Sequence, residues 1–323
     1  MSKIEMGNIM IQELNILLAY PRGFCAGVER AIDMVEAALA AYGPPIYVRH
    51  SIVHNPMVVD DLTDRGVVFV ESLENVPRGA RVLFSAHGIP PSVREEARQK
   101  GFKTLDATCP LVLKVHREVE TNGAQGRHTL IIGDPNHVEI IGIKGHAGKG
   151  QYTIIRTHED AENLTIDPES DYAVVTQTTL SVDDTSRILE ILRRRIPGLH
   201  EPSVEDICYA TTNRQMAVKA IAQQSDVVIV VGGKASANAG KLVSVAKKAG
   251  CPRSFLVERP EAFDLKLLKG CTTLGLTSAA STPEHAVSML ISKLKHRFAV
   301  HVKPVHTMDE KVSFRSLPIE RLA

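Results

Sequence analysis

One pattern occurs three times in this chain: an apolar, strand-like run, a short polar turn holding a cysteine, and then a helical stretch. Cys25 follows Ile16-Leu17-Leu18-Ala19-Tyr20 and sits in Pro21-Arg22-Gly23-Phe24-Cys25-Ala26-Gly27. Cys109 closes Thr104-Leu105-Asp106-Ala107-Thr108-Cys109-Pro110, and Cys208 lies in Asp206-Ile207-Cys208-Tyr209-Ala210-Thr211-Thr212-Asn213. A helix N-terminus presents free N–H donors and a positive dipole end, so each turn favours thiolate over thiol. Three such units predict three lobes whose cysteine turns meet at one soft-metal centre. Three ligands rather than four leave a coordination position for a substrate.

A blander reading competes. Buried cysteines are common packing residues, and no pair here forms C-x-x-C or a ferredoxin-like run. The shared context, with its Gly, Thr and Asn neighbours, is what favours the metal. Cys251, after a helical Lys-Lys-Ala-Gly end, and Cys271, at the start of an apolar strand, lack that context and are read as packing residues.

The alternation runs through the whole chain. Strands are expected at 15–19, 46–49, 67–70, 81–85, 129–132, 152–155, 172–176, 226–231, 254–257 and 272–276. Helices are expected at 28–42, 55–65, 91–100, 111–121, 181–195, 213–224, 241–249 and 283–298. This is the pattern of an α/β protein with largely parallel sheets. At 323 residues, two or three compact units are expected. The division is a first lobe 27–109, a second 110–205, and a third 206–300 completed by the N-terminal strand 14–26. The tail 301–323 is less patterned and is assigned to the surface.

Composition removes several function classes. Apolar residues at 44% and charged residues at 23% are ordinary for a globular protein. A net charge of +1 gives no pull towards nucleic acid or membrane. Tryptophan is absent and aromatics are 4%, which argues against stacking platforms for bases. No apolar run reaches the roughly 18 residues that span a bilayer. Residues 1–13 have no long apolar stretch of the signal-peptide kind. An odd cysteine count without a leader points to a reducing cytoplasm.

Parallel α/β sheets gather their functional loops beyond the carboxyl ends of the strands. Here those loops read Val53-His54-Asn55, Ser85-Ala86-His87-Gly88, 133–139, Thr176-Gln177-Thr178-Thr179, 232–238 and 277–281. Any one Ser/Thr turn is best read as a helix cap. All of them together, each ending an apolar strand, favour an anion pocket. Two named phosphate motifs fail. Gly233 to Lys241 resembles a P-loop with its glycines too far apart and Leu242 in place of the hydroxyl, and no G-x-G-x-x-G follows an early strand. Gly145-His146-Ala147-Gly148-Lys149-Gly150 is read as a turn.

The motifs around Cys25, His87, Cys109 and Cys208, with Thr176-Gln177-Thr178-Thr179-Leu180-Ser181-Val182-Asp183-Asp184-Thr185, closely resemble the 4-hydroxy-3-methylbut-2-enyl diphosphate reductase family. The likeness runs from about Asn15 to beyond Ser281. It implies a trefoil of three pseudo-equivalent α/β lobes around a [4Fe–4S] cluster, one per chain, with Cys25, Cys109 and Cys208 as ligands and one iron open. His54, His87, Ser236, Asn238 and Ser281 would bind the diphosphate. His137 and Thr178 would lie nearer the allylic hydroxyl, and Glu139 matches the family's acid. The implied reaction, which ends the methylerythritol phosphate route, removes the hydroxyl as water and gives isopentenyl or dimethylallyl diphosphate. The family's expected electron donor is ferredoxin or flavodoxin, and the chain would be a monomer or homodimer.

The sequence departs from the family in places. His137-Val138-Glu139 stands where His-Pro-Glu is usual, which frees φ before the acid. Ser236-Ala237-Asn238 stands for Ser-Ser-Asn and lacks one hydroxyl, and Ala239-Gly240-Lys241 is also atypical. A divergent copy acting on a related allylic diphosphate, or a cluster-bearing redox or oxygen sensor, is one alternative. A sensor would need the cysteines but not Glu139 or the phosphate loops. A three-ligand zinc hydrolase is another, because spacing alone does not choose the metal.

Overall fold

Parallel strands alternate with helices in the computed structural model, which describes residues 12–148 and 150–322. The reading of the first residues as lacking a leader falls almost wholly outside these, as does Lys149 of the glycine-rich segment. In chain order the elements begin with β1 (Glu13–Tyr20), α1 (Ala26–Tyr42), β2 (Ile46–Arg49), α2 (Pro56–Asp64), β3 (Val67–Val70), β4 (Arg81–Phe84), α3 (Pro91–Gln99) and β5 (Lys103–Asp106). There follow α4 (Pro110–Ala124), β6 (His128–Ile132), α5 (Val138–His146), β7 (Tyr152–Ile155), α6 (His158–Glu162), β8 (Tyr172–Thr176) and α7 (Val182–Arg195). The last group is α8 (Tyr209–Ala222), β9 (Val227–Val231), α9 (Ala237–Lys248), β10 (Ser254–Val257), β11 (Thr273–Ser278), α10 (Glu284–Lys295) and β12 (Ala299–His306).

Three all-parallel sheets result, ordered β3-β2-β4-β5, β7-β6-β8 and β10-β9-β11-β1-β12. Each has a core on both faces, because neighbouring residues of a strand point to opposite sides. In β9, Val227, Ile229 and Val231 pack on one side and Val228 and Val230 on the other. In β4, Leu83 packs on one side and Val82 and Phe84 on the other; in β6, Ile131 faces away from Leu130 and Ile132. The three sheets direct their carboxyl-end loops towards a common centre, lined from β1, β2, β4, β5, β6, β8, β9 and β11.

The structure revises four readings. Residues 299–306 form the edge strand β12, paired with β1 from Glu13↔Ala299 to Tyr20↔His306. Pro304 sits within it, which an edge strand tolerates because its missing N–H has no partner to disappoint. The rest of the tail returns to the four-stranded sheet: Leu322 is fully buried there beside Leu317 and Ile319. Cys208 follows no strand of its own. The segment before it touches β8 by a single parallel bridge, Ala173↔His200, since Pro197 and Pro202 interrupt any longer ladder. Gly145 and His146 end the helix α5 rather than forming a turn. Cys271 lies just before β11, though it is buried, as is Cys251.

Candidate active site

All three cysteines of the repeated pattern are N-caps, of α1, α4 and α8, and all three line one central cavity. His54, His87, His137, Glu139, Thr178, Ser236, Asn238 and Ser281 line the same cavity, so the structure brings together every candidate residue. A wider cleft of about 700 Å³ between α7 and α9 adjoins it at His137 and Ala237 but contains no cysteine.

The cysteine half is tightly built. A Cβ on Gly27 would lie 2.7 Å from the Cys109 sulfur and 3.9 Å from that of Cys25, so only glycine fits there. The Thr211 hydroxyl lies 3.2 Å from the Cys208 sulfur. Burial pushes the Cys109 thiol up to about 12 and the Cys208 thiol up to about 11, and it raises Cys25 too. Helix N–H groups lower each value, but desolvation wins; the expected thiolates are thiols unless a cation displaces their protons. Among the described residues no three His, Cys, Asp or Glu side chains close on one metal ion. Three thiol donors lining one cavity are the soft ligand set that an iron–sulfur cluster takes.

The polar half faces it. His54 and His87 stack with centroids 3.9 Å apart, and His137 stands edge-on at 5.6 Å from His54 and 6.2 Å from His87. Burial lowers all three imidazoles, His54 to about 4 with a further push from His137. They are neutral donors at pH 7 until an anion arrives to stabilise their charged forms. Both polar atoms of the Asn238 amide are buried without a partner, as is His54 Nε2. Buried polar groups are rarely left so, and both residues line the cavity, where the acceptor oxygens of an anion would satisfy the Asn238 Nδ2 and His54 Nε2 donors. Ser236 caps α9, accepting from the Ala239 N–H at 3.3 Å, and brings that helix's N-terminus to the same place.

Glu139 is 2% exposed on the first turn of α5. Its carboxylate accepts from the Thr178 N–H at 2.7 Å and the Thr178 hydroxyl at 3.0 Å. Those bonds favour ionisation, but burial outweighs them and pushes the carboxyl to about 7. His137 Nδ1 accepts from the Glu139 N–H at 3.2 Å, which leaves Nε2 as the donor.

Two arginines escaped the sequence reading. Arg214, fully buried, donates to the Gly23, Phe24 and Ala210 carbonyls and so joins the Cys25 turn to the helix Cys208 caps. Arg30 donates to the Ala107 and Thr108 carbonyls and joins α1 to the Cys109 turn. Each sits on the apolar stripe of its helix, Arg214 between Ala210 and Val218 and Arg30 before Met34, and a charge in such a stripe is the signal that could have found it.

Residues 16–295 match the LytB protein family. The chain is 48% identical over 306 residues to the 4-hydroxy-3-methylbut-2-enyl diphosphate reductase of Gluconobacter oxydans, covering 94% of this chain and 91% of that one. It is 48% identical over 310 residues to 4-hydroxy-3-methylbut-2-enyl diphosphate reductase 2 of Rhodopseudomonas palustris, covering 96% of each. The solved E-1-hydroxy-2-methyl-but-2-enyl-4-diphosphate reductase of Plasmodium falciparum superposes with a TM-score of 0.92 at 38% identity, over 96% of this chain and 97% of that one. With three cysteine N-caps on one histidine-lined cavity and this likeness along nearly its whole length, the chain belongs to the LytB protein family.

Proposed function

We infer that this chain is a 4-hydroxy-3-methylbut-2-enyl diphosphate reductase, an iron–sulfur oxidoreductase of the non-mevalonate route to isoprenoids. It converts (E)-4-hydroxy-3-methylbut-2-enyl diphosphate to isopentenyl and dimethylallyl diphosphate. The allylic C–O bond breaks, two electrons and two protons enter, and the oxygen leaves as water. The observation that carries the reading is the meeting, in one cavity, of three cysteines with partnerless diphosphate donors and a carboxyl held near neutrality.

Cys25, Cys109 and Cys208 would hold a [4Fe–4S] cluster, which would supply the electrons and a Lewis acid for an oxygen that is otherwise a poor leaving group. His54, His87, Ser236, Asn238 and Ser281 bind and orient the diphosphate, whose charge draws protons onto the imidazoles. Glu139, held by Thr178, delivers a proton to the leaving oxygen, and His137 Nε2 donates a hydrogen bond beside it. The apolar lining from Val28, Val53 and Leu111 excludes bulk water and leaves these bonds unscreened. The electron donor is ferredoxin or flavodoxin, in a reducing cytoplasm.

The test is anaerobic purification followed by absorption spectroscopy and turnover with an artificial reductant. A brown protein that releases both isoprenoid diphosphates is expected. A colourless zinc protein, or a loaded cluster without turnover, would refute the assignment.

A further inference from the structure

We propose that the segment 307–315 is a strap that sets the three cysteine turns, with Glu310 as a positioning residue acting through Arg214, and the Arg315 carbonyl acting through Arg30. This rests on the cluster reading above. Arg30 and Arg214 are the two buried arginines among the described residues, and between them they tie the Cys25 turn to the other two. Both are held from behind by this one segment. Glu310 accepts from Arg214 Nη1 at 2.9 Å and Nη2 at 3.3 Å, and from the Asn213 amide at 3.0 Å. The Arg315 carbonyl accepts from Arg30 Nε at 3.1 Å. At its start, the Thr307 N–H and hydroxyl both bond the Tyr20 carbonyl, where β1 gives way to the Cys25 turn.

Charge makes Glu310 indispensable to this arrangement. Arg214 is 0% exposed, and Glu310 is its carboxylate partner. A buried guanidinium robbed of its counter-charge is driven towards water, and its grip on Gly23 and Phe24 goes with it. The strap therefore controls how firmly the sulfurs are held without touching them. Groups that orient metal ligands typically account for about 10- to 100-fold in metal retention.

The experiment compares iron loss to a chelator, followed anaerobically by absorption, in the full chain and in Glu310→Ala, Glu310→Asp and Tyr42→Phe. Tyr42 bonds the Ile319 carbonyl, so its loss loosens the distal tail while sparing both arginines. Glu310→Ala is expected to lose iron about 10- to 100-fold faster than the parent. Glu310→Asp should be largely rescued, and Tyr42→Phe should match the parent. In metal-free protein, amide exchange over 23–28 should quicken in Glu310→Ala alone. If Glu310→Ala does not accumulate, Glu310→Gln keeps the shape and should show the same acceleration in smaller measure. Parent-like iron loss in Glu310→Ala, or in Glu310→Gln where that variant takes its place, or equal acceleration in Tyr42→Phe, overturns the strap. A parent that takes up no cluster, or takes it up without Cys25, Cys109 and Cys208, overturns the cluster reading and the strap with it.

Discussion

Replacing Glu139 with glutamine separates proton supply from every other task of that side chain. The amide oxygen can still accept from the Thr178 N–H, and the Thr178 hydroxyl can turn to accept from the new NH₂, so both existing contacts have replacements. What is lost is a proton on an acid poised near pH 7. A positioned general acid contributes about 10²- to 10⁴-fold, or roughly 3–5 kcal/mol of barrier. Turnover should fall by that factor with the cluster spectrum unchanged. The parent should lose turnover as pH rises through about 7, because the acid form is the active one; the variant should lack this limb. Stability moves the opposite way. A carboxyl raised from 4.5 to about 7 in the fold binds its proton more tightly folded than unfolded, so stability falls as pH rises across that window. The loss is about 3 kcal/mol. Glu139→Gln abolishes it, so the variant should melt higher than the parent at pH 8 while turning over far more slowly. Anaerobic stopped-flow with strong reductant, paired with melting curves at pH 5 and pH 8, measures both. Parent-like turnover, or an unchanged alkaline limb, would remove Glu139 as proton donor.

Cys25→Ser, Cys109→Ser and Cys208→Ser should each abolish stable iron binding and turnover, whereas Cys251→Ser and Cys271→Ser should keep iron per chain at the parent's level by metal analysis. His87→Phe should keep the cluster spectrum but weaken diphosphate binding by about ten- to a hundred-fold, the worth of a charge-assisted hydrogen bond, as read by calorimetry with pyrophosphate. Gly27→Ala should lose iron with the fold intact by circular dichroism, because its methyl would meet the Cys109 sulfur at 2.7 Å; full cluster loading in that variant would show that the turn moves freely.

The loops that line the cavity could be read from the chain because all but the Cys208 turn follow strand ends in a regular alternation, which places them on a common face, whereas the roles of single residues within them came from the family resemblance. What escaped reading depended on contacts between distant segments. Helix α5 was missed because Gly142 and Gly145 look like turn residues; in the fold, a Cβ on Gly142 would lie 3.2 Å from the His116 ring and one on Gly145 2.2 Å from Pro90. Strand β12 was missed because Pro304 and exposed polar residues disguise an edge. The extent of burial was not legible because helix-end polarity is local while burial is collective: the same lobes that bring the three sulfurs together also strip them of water and raise their thiols.

The place of β1, between β11 and β12, has a consequence for how the protein is made. In a nascent chain the strand that leads into the Cys25 turn has no sheet neighbour until β11 and β12 are synthesised. At about 5–20 residues per second, that wait is on the order of 10–50 seconds. During it, β1 is an apolar ribbon with two unsatisfied edges, a ready target for aggregation or for a chaperone. The cavity that the three cysteine turns line is complete only once both ends of the chain are made, so any group held by all three can be bound only by the finished fold.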